Sequence, residues 1–147
     1  MDGFIGEYYH TIDSKGRIII PQKFREELGD AFFISKGLDG CLWIHPSQEW
    51  EEFKESLRQL SAIDQDSRRF KRFFLSGAVE CELDKQGRVL VPIPLRGYAG
   101  LTKDVVLAGM DNRIEVWSEA AWDAENDLDT DQMNDIASRL SGLGIRI

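Results

Sequence analysis

Asp13-Ser-Lys-Gly-Arg17-Ile-Ile-Ile-Pro21-Gln-Lys-Phe-Arg25 is met again, 71 residues on, as Asp84-Lys-Gln-Gly-Arg88-Val-Leu-Val-Pro92-Ile-Pro-Leu-Arg96. The match extends outward from these stretches. Upstream, Gly6 falls on Gly77 and Ile12 on Leu83. Downstream, Leu28-Gly29 falls on Ala99-Gly100, and after a one-residue slip Asp39 falls on Asp111, Ile44 on Val116 and Trp50 on Trp122. A single slip placed in a loop is what a duplicated fold produces.

Each copy reads as the same series of elements. An alternating strand (Glu7 to Ile12, or Ala78 to Leu83) leads into a tight turn with Gly16 or Gly87, then a β-branched strand, Arg17 to Ile20 or Arg88 to Val91. Pro21 or Pro92 stops that strand and opens a short helix, Gln22 to Leu28 or Pro94 to Ala99, which Gly29 or Gly100 ends. Two further strands follow, Phe32 to Ser35 and Cys41 to Ile44 in the first copy, Val105 to Ala108 and Arg113 to Trp117 in the second. A helix closes each copy. Ser47 is expected to cap the first, with Trp50, Phe53, Leu57 and Leu60 as its apolar stripe. Ser118 is expected to cap the second, which carries Trp122 and later Leu128, Met133, Ile136 and Leu140. Between the copies, Gln65 to Leu75 reads as a basic helix with Phe70, Phe73 and Phe74 on one side.

The fold class expected is mainly β with short helices (α+β). One copy is marginal alone, so the two repeats are expected to pack into one shared barrel with pseudo-two-fold symmetry and peripheral helices. The expected organisation is a first repeat with its closing helix over residues 4–60, a basic linker helix over 61–74, and a second repeat with an acidic C-terminal helix over 75–147.

Charge and chemistry narrow the function. Net charge is −8, which argues against a generic nucleic-acid binder. Seven carboxylates and no Lys or Arg lie between Ser118 and Asp135, however, and the remainder of the chain carries only −1. An acidic appendage is compatible with a basic surface elsewhere. No stretch is apolar and long enough to cross a bilayer. Met1 to Gly6 lacks the basic-then-apolar pattern of a signal peptide, so a cytoplasmic protein is expected. Cys41 and Cys81 lie in apolar-alternating runs without partners at metal-ligand spacing and read as buried, reduced thiols. His10 and His45 are isolated from carboxylates, so no metal site is expected. No nucleophile–base pair and no phosphate loop is found, so neither a catalytic residue nor a cofactor is expected.

The residues that invite a function are Lys15, Arg17, Lys85 and Arg88, at and beside the two turns. A guanidinium there can reach a phosphate or make a bidentate contact to guanine. It can equally fold back onto Asp13 or Asp84 and brace the turn, and the two roles are compatible. Lys23, Arg25 and Arg96, on the short helices, are expected to hold their charges in solvent. Arg68-Arg-Phe-Lys-Arg72 is the densest basic cluster and reads as a packed connector, able to pair with the acidic segment. Each copy carries two tryptophans, Trp43 and Trp50, then Trp117 and Trp122, which read as packing rather than base-stacking residues.

The paired Asp-x-x-Gly-Arg hairpins, each followed by a β-branched triplet, Pro and a short helix with Arg, resemble the AbrB-type swapped-hairpin proteins. Gly6-Glu-Tyr, Gly37-Leu-Asp-Gly-Cys41-Leu, Phe73-Phe-Leu-Ser-Gly77-Ala, Leu95-Arg96-Gly-Tyr-Ala-Gly-Leu101 and Asn112-Arg-Ile-Glu-Val-Trp117 stand in the order seen in the MraZ family, over about residues 4 to 144. That resemblance implies a DNA-binding transcriptional regulator of the cell-wall and division gene cluster, nucleoid-associated and acting on tandem promoter repeats as a ring-shaped homo-oligomer. It also implies that Arg17 and Arg88 are the contacts to double-stranded DNA. A protein–protein module of the same fold, antitoxin-like, is the competing expectation. Copy two departs from the pattern at Pro94, Gly97 and Gln86, so the first hairpin is expected to bind more strongly.

Overall fold

The structure is a computed structural model that describes residues 2–146. Copy one contributes β1 (Glu7–Thr11), β2 (Arg17–Ile19), α1 (Gln22–Leu28), β3 (Ala31–Lys36), β4 (Leu42–Pro46) and α2 (Ser47–Arg58). Next comes α3 (Gln65–Leu75). Copy two repeats the series as β5 (Val79–Glu82), β6 (Arg88–Leu90), α4 (Ile93–Ala99), β7 (Asp104–Gly109), β8 (Ile114–Ser118) and α5 (Glu119–Glu125), and α6 (Thr130–Leu140) follows.

The six-stranded sheet runs β1-β7-β8-β4-β3-β5, all antiparallel, and a separate ribbon pairs β2 with β6. By strand position within each copy this order is a palindrome: first, third, fourth, fourth, third, first. The first strand of each copy leaves its own unit and pairs with the third strand of the other, β1 on β7 and β5 on β3. The exchange is the swapped hairpin that the family resemblance implies, and the α+β class holds. The barrel needs correction, because the sheet is not closed. β1 and β5 are its free edges, and the β2–β6 ribbon caps the core as a second layer instead of joining the sheet.

The four central strands are buried on both faces, which explains their near-continuous apolar runs. One face, with Phe32, Ile34, Leu42, Ile44, Val105, Leu107, Ile114 and Val116, meets Ile18 and Val89 of the ribbon and Phe24 and Leu95 of α1 and α4 in the main core. The other face, with Trp43, Val106 and Trp117, packs against Leu57 and Phe74 of α2 and α3. All four tryptophans serve this packing. Trp43 stacks on Phe74 with centroids 5.3 Å apart, Trp50 on Phe33, and Trp117 meets Trp122 edge-on. His45 is buried and shares a 2.9 Å hydrogen bond with Ser35. Burial, and then the Arg113 charge, push its pKa down to about 3. Burial pushes the Cys41 thiol up to about 12 and the half-buried Cys81 thiol up to about 11, so both are unreactive thiols near neutral pH.

Three local expectations change. Ser47 does not cap α2. Pro46 holds the cap position, and the Ser47 hydroxyl donates to Ala31 O at 2.8 Å, tying the helix to β3. Ser118 does cap α5, accepting from Ala121 N at 3.2 Å. The acidic C-terminal helix is two helices, because Asp129 and Gln132 form a capping box that starts α6 afresh. Arg68 to Arg72 do not pair with the acidic segment among the described residues. Arg68 donates to Ala62 O and Ile63 O, and Lys71 to Leu60 O, so the cluster holds the α2–α3 connection.

Candidate nucleic-acid interface

Two short turns build the site, and a carboxylate organises each. Asp13 Oδ1 accepts from Lys15 N at 3.0 Å and Arg17 N at 2.9 Å, while its carbonyl accepts from Gly16 N at 3.0 Å. Asp84 does the same for Gln86 N at 2.9 Å, Arg88 N at 2.9 Å and Gly87 N at 3.0 Å. Aspartate suits the position because its short side chain reaches backbone N–H groups two and four residues on. Each second oxygen takes the Arg Nε: Arg17 to Asp13 Oδ2 at 2.7 Å, Arg88 to Asp84 Oδ2 at 2.8 Å. Hydrogen bonds to the Arg17 backbone, with its side chain and Lys15 N adding, hold the Asp13 carboxyl at about 2; the matching bonds lower Asp84. Both Asp residues therefore orient their Arg in the charged form.

The turns are joined through the ribbon. Arg17 stands opposite Leu90, Ile18 opposite Val89 and Ile19 opposite Arg88. Ile20 N donates to Gly87 O at 2.9 Å and Val91 N to Gly16 O at 2.8 Å, so each turn abuts the far end of the other copy's strand. Strand alternation turns Ile18 and Val89 into the core and leaves Arg17 and Arg88 on the outer face as diagonal neighbours, about 7–8 Å apart. Lys15 and Lys85 are exposed in the flanking turns.

The helix arginines correct the expectation of solvated charges. Arg96 lies across the first turn, where a β-carbon at Gly16 would stand 2.5 Å from its Cζ. Arg25 lies across the second in the same way, against Gly87. Both glycines also adopt positive φ, +88° and +77°, so the turns need glycine twice over. Arg25 Nε donates to Ile20 O at 2.8 Å, whereas the buried Arg96 Nε has no partner among the described residues. Each short helix thus delivers its guanidinium to the other copy's turn. The repeat match of Arg25 with Arg96 was visible in the sequence; the turn each would meet was not, because the contact depends on the strand exchange. The four sequence candidates, Lys15, Arg17, Lys85 and Arg88, lie along one ribbon and its turns, and Arg25 and Arg96 complete the row.

The family model described as "MraZ protein, putative antitoxin-like" matches residues 4–73 and again residues 74–140. The chain is 52% identical over 142 residues to a transcriptional regulator MraZ of Clostridium tetani, covering 97% of this chain and 99% of that one. It is 53% identical over 142 residues to the protein of the same name from Clostridium acetobutylicum, with the same coverage. With the MraZ protein of Natranaerobius thermophilus it shares 55% identity over 120 residues, 82% of this chain and 84% of that one.

Proposed function

This chain belongs to the MraZ family, and from that premise we propose that it regulates transcription by binding double-stranded DNA with the outer face of the β2–β6 ribbon and its two turns. The names of the relatives support regulation of transcription as the general function. The observation that carries the DNA reading is the cation row: Arg17 and Arg88 on the ribbon, Lys15 and Lys85 in the turns, Arg25 and Arg96 over the turn glycines, in a chain of net charge −8. A two-stranded ribbon is narrow enough to enter a major groove about 12 Å wide. The Asp13 and Asp84 carboxylates hold each guanidinium by its Nε, which leaves Nη groups to reach guanine or phosphate.

One subunit offers few phosphate contacts, so its affinity is low and falls steeply with salt. Tandem promoter repeats engaged by a homo-oligomeric ring raise the affinity without new contacts. The cell-wall and division gene cluster is the target that the family resemblance supports, and nucleoid association follows from binding there. The test is a gel shift with fragments the protein itself recovers from sheared genomic DNA. Wild type is expected to bind with a steep salt dependence, and the Arg17→Ala/Arg88→Ala double variant is expected to lose the shift. Equal binding by the two proteins would remove the ribbon as the interface. A second reading would then lead, an antitoxin-like partner module whose surface is α6, where Met133 is 50% and Leu140 36% exposed.

A further inference from the structure

The outer face of the β2–β6 ribbon holds two aliphatic side chains that the core does not use. Ile19 is 43% and Leu90 57% exposed, while Ile18 and Val89 between them are buried at 1% each. The register makes the outer face a four-residue checker, with Arg17 opposite Leu90 and Ile19 opposite Arg88. Each aliphatic side chain therefore has an arginine directly across the ribbon and another two residues away on its own strand. Single exposed apolar residues are ordinary on a protein surface. These two are set apart by their place. They occupy the centre of the cation row, and both copies keep a large aliphatic at the same outward position, where a solvated strand suits Thr or a charged residue.

We propose that Ile19 and Leu90 are specificity-determining residues that read thymine, packing on the 5-methyl groups exposed in the major groove while the arginines supply the polar contacts. This rests on the reading of the ribbon as the DNA interface. The chemistry follows from what an aliphatic side chain can recognise. It neither donates nor accepts a hydrogen bond, so among base edges in the major groove only the thymine methyl offers it a favourable surface. Polar base edges beneath it would be desolvated without a partner, which disfavours other bases at the same step. The two side chains are diagonal neighbours, about 7–8 Å apart. They therefore address two nearby base steps related by the ribbon's pseudo-two-fold axis.

The experiment uses the full-length protein and the tightest-bound duplex it selects from a random-sequence pool. Thymidines of that duplex are replaced one at a time by deoxyuridine, which removes the methyl and leaves the hydrogen-bonding edge intact. Wild type is expected to lose about three- to fivefold in affinity at one or two central positions, the factor for one buried methyl. Ile19→Ala is expected to abolish that sensitivity at one position and Leu90→Ala at the other, with an unchanged salt slope. Indifference of wild type to every replacement, full sensitivity in both alanine variants, or a selected site without thymine under the ribbon overturns the proposal, provided Arg17→Ala still weakens binding. If the Arg17→Ala/Arg88→Ala protein binds like wild type, the underlying reading fails first. If the alanine variants change the mass of the protein in DNA-free solution and leave thymine sensitivity intact, the pair is a protein contact and the proposal is overturned.

Discussion

The two hairpin turns share a backbone and differ in how their cations are held. In the first, among the described residues, Arg17 is fixed through Nε alone, Lys15 has no side-chain partner, and the buried Nε of the Arg96 lying across Gly16 is unpartnered. In the second, Gln86 replaces Lys15 and its Oε1 accepts from Arg88 Nη2 at 2.5 Å, in addition to the Asp84 bond. The Arg25 that lies across Gly87 is likewise committed, to Ile20 O. A guanidinium already engaged by the protein must give up a bond before it can take one from DNA. Each turn keeps one exposed lysine, Lys15 or Lys85, so the difference at the surface is that Arg88 has an Nη bond to Gln86 and Arg17 has none among the described residues. Pro94 and Gly97, expected from the sequence to weaken the second short helix, do not shorten it: α1 and α4 are 7 residues each. The difference visible between the two turns is in side-chain bonding.

The comparison can be broken most directly at the arginines. Arg17→Ala should lower DNA affinity about ten- to a hundredfold and Arg88→Ala by less, as the loss of a bidentate contact implies; equal losses in a fluorescence titration would erase the distinction. Next in size is the backbone. Gly16→Ala and Gly87→Ala should each destabilise by about 1–3 kcal/mol, since positive φ and the crossing guanidinium both resist a β-carbon. Thermal unfolding checks this, and a Tm unchanged in either variant would show that its arginine does not lie over the turn. A smaller effect comes from exchanging the turn residues. Gln86→Lys should release Arg88, tighten binding a few-fold and steepen the salt slope by about one phosphate, and Lys15→Gln should do the reverse. The smallest effect is on acidification. Both aspartates titrate below the ordinary 3.8, Asp13 at about 2. The Asp13 bracing is therefore present above the ordinary 3.8 and lost as pH falls through about 2, and that of Asp84 likewise persists below the ordinary carboxylate range before it is lost. Carboxyl NMR titration should find Asp13 and Asp84 both depressed, and an ordinary value for either would show that its turn is not so organised.

The outer layer of the sheet repeats the lesson at larger scale. In copy one, Trp43, His45, Trp50 and Phe53 pack together under α2 and α3. In copy two, the position matching His45 is Trp117, which meets Trp122 under the short α5, whose residues are nowhere fully buried. Matching tryptophans at Trp50 and Trp122 were legible in the sequence. The unequal cover was not, because it depends on α3 packing beside copy one and on the capping box at Asp129 that sends α6 away.

Much of the site was legible for a local reason. Asp-x-x-Gly-Arg specifies its own turn through bonds that span four residues, and alternation turns Ile18 and Val89 inward wherever the strand pairs. The sequence alone therefore determined the duplication, the element order, the two turns and the outward placement of Arg17 and Arg88. Tertiary structure decided the rest: that β1 joins β7 and β5 joins β3, that the sheet stays open, and that β2 and β6 pair into one ribbon. It also decided that Arg25 and Arg96 cross to the opposite turns. The physical reason is that backbone edges are chemically alike. Periodicity tells which face of a strand is apolar, but which edge it finds is settled only when the whole core is buried at once.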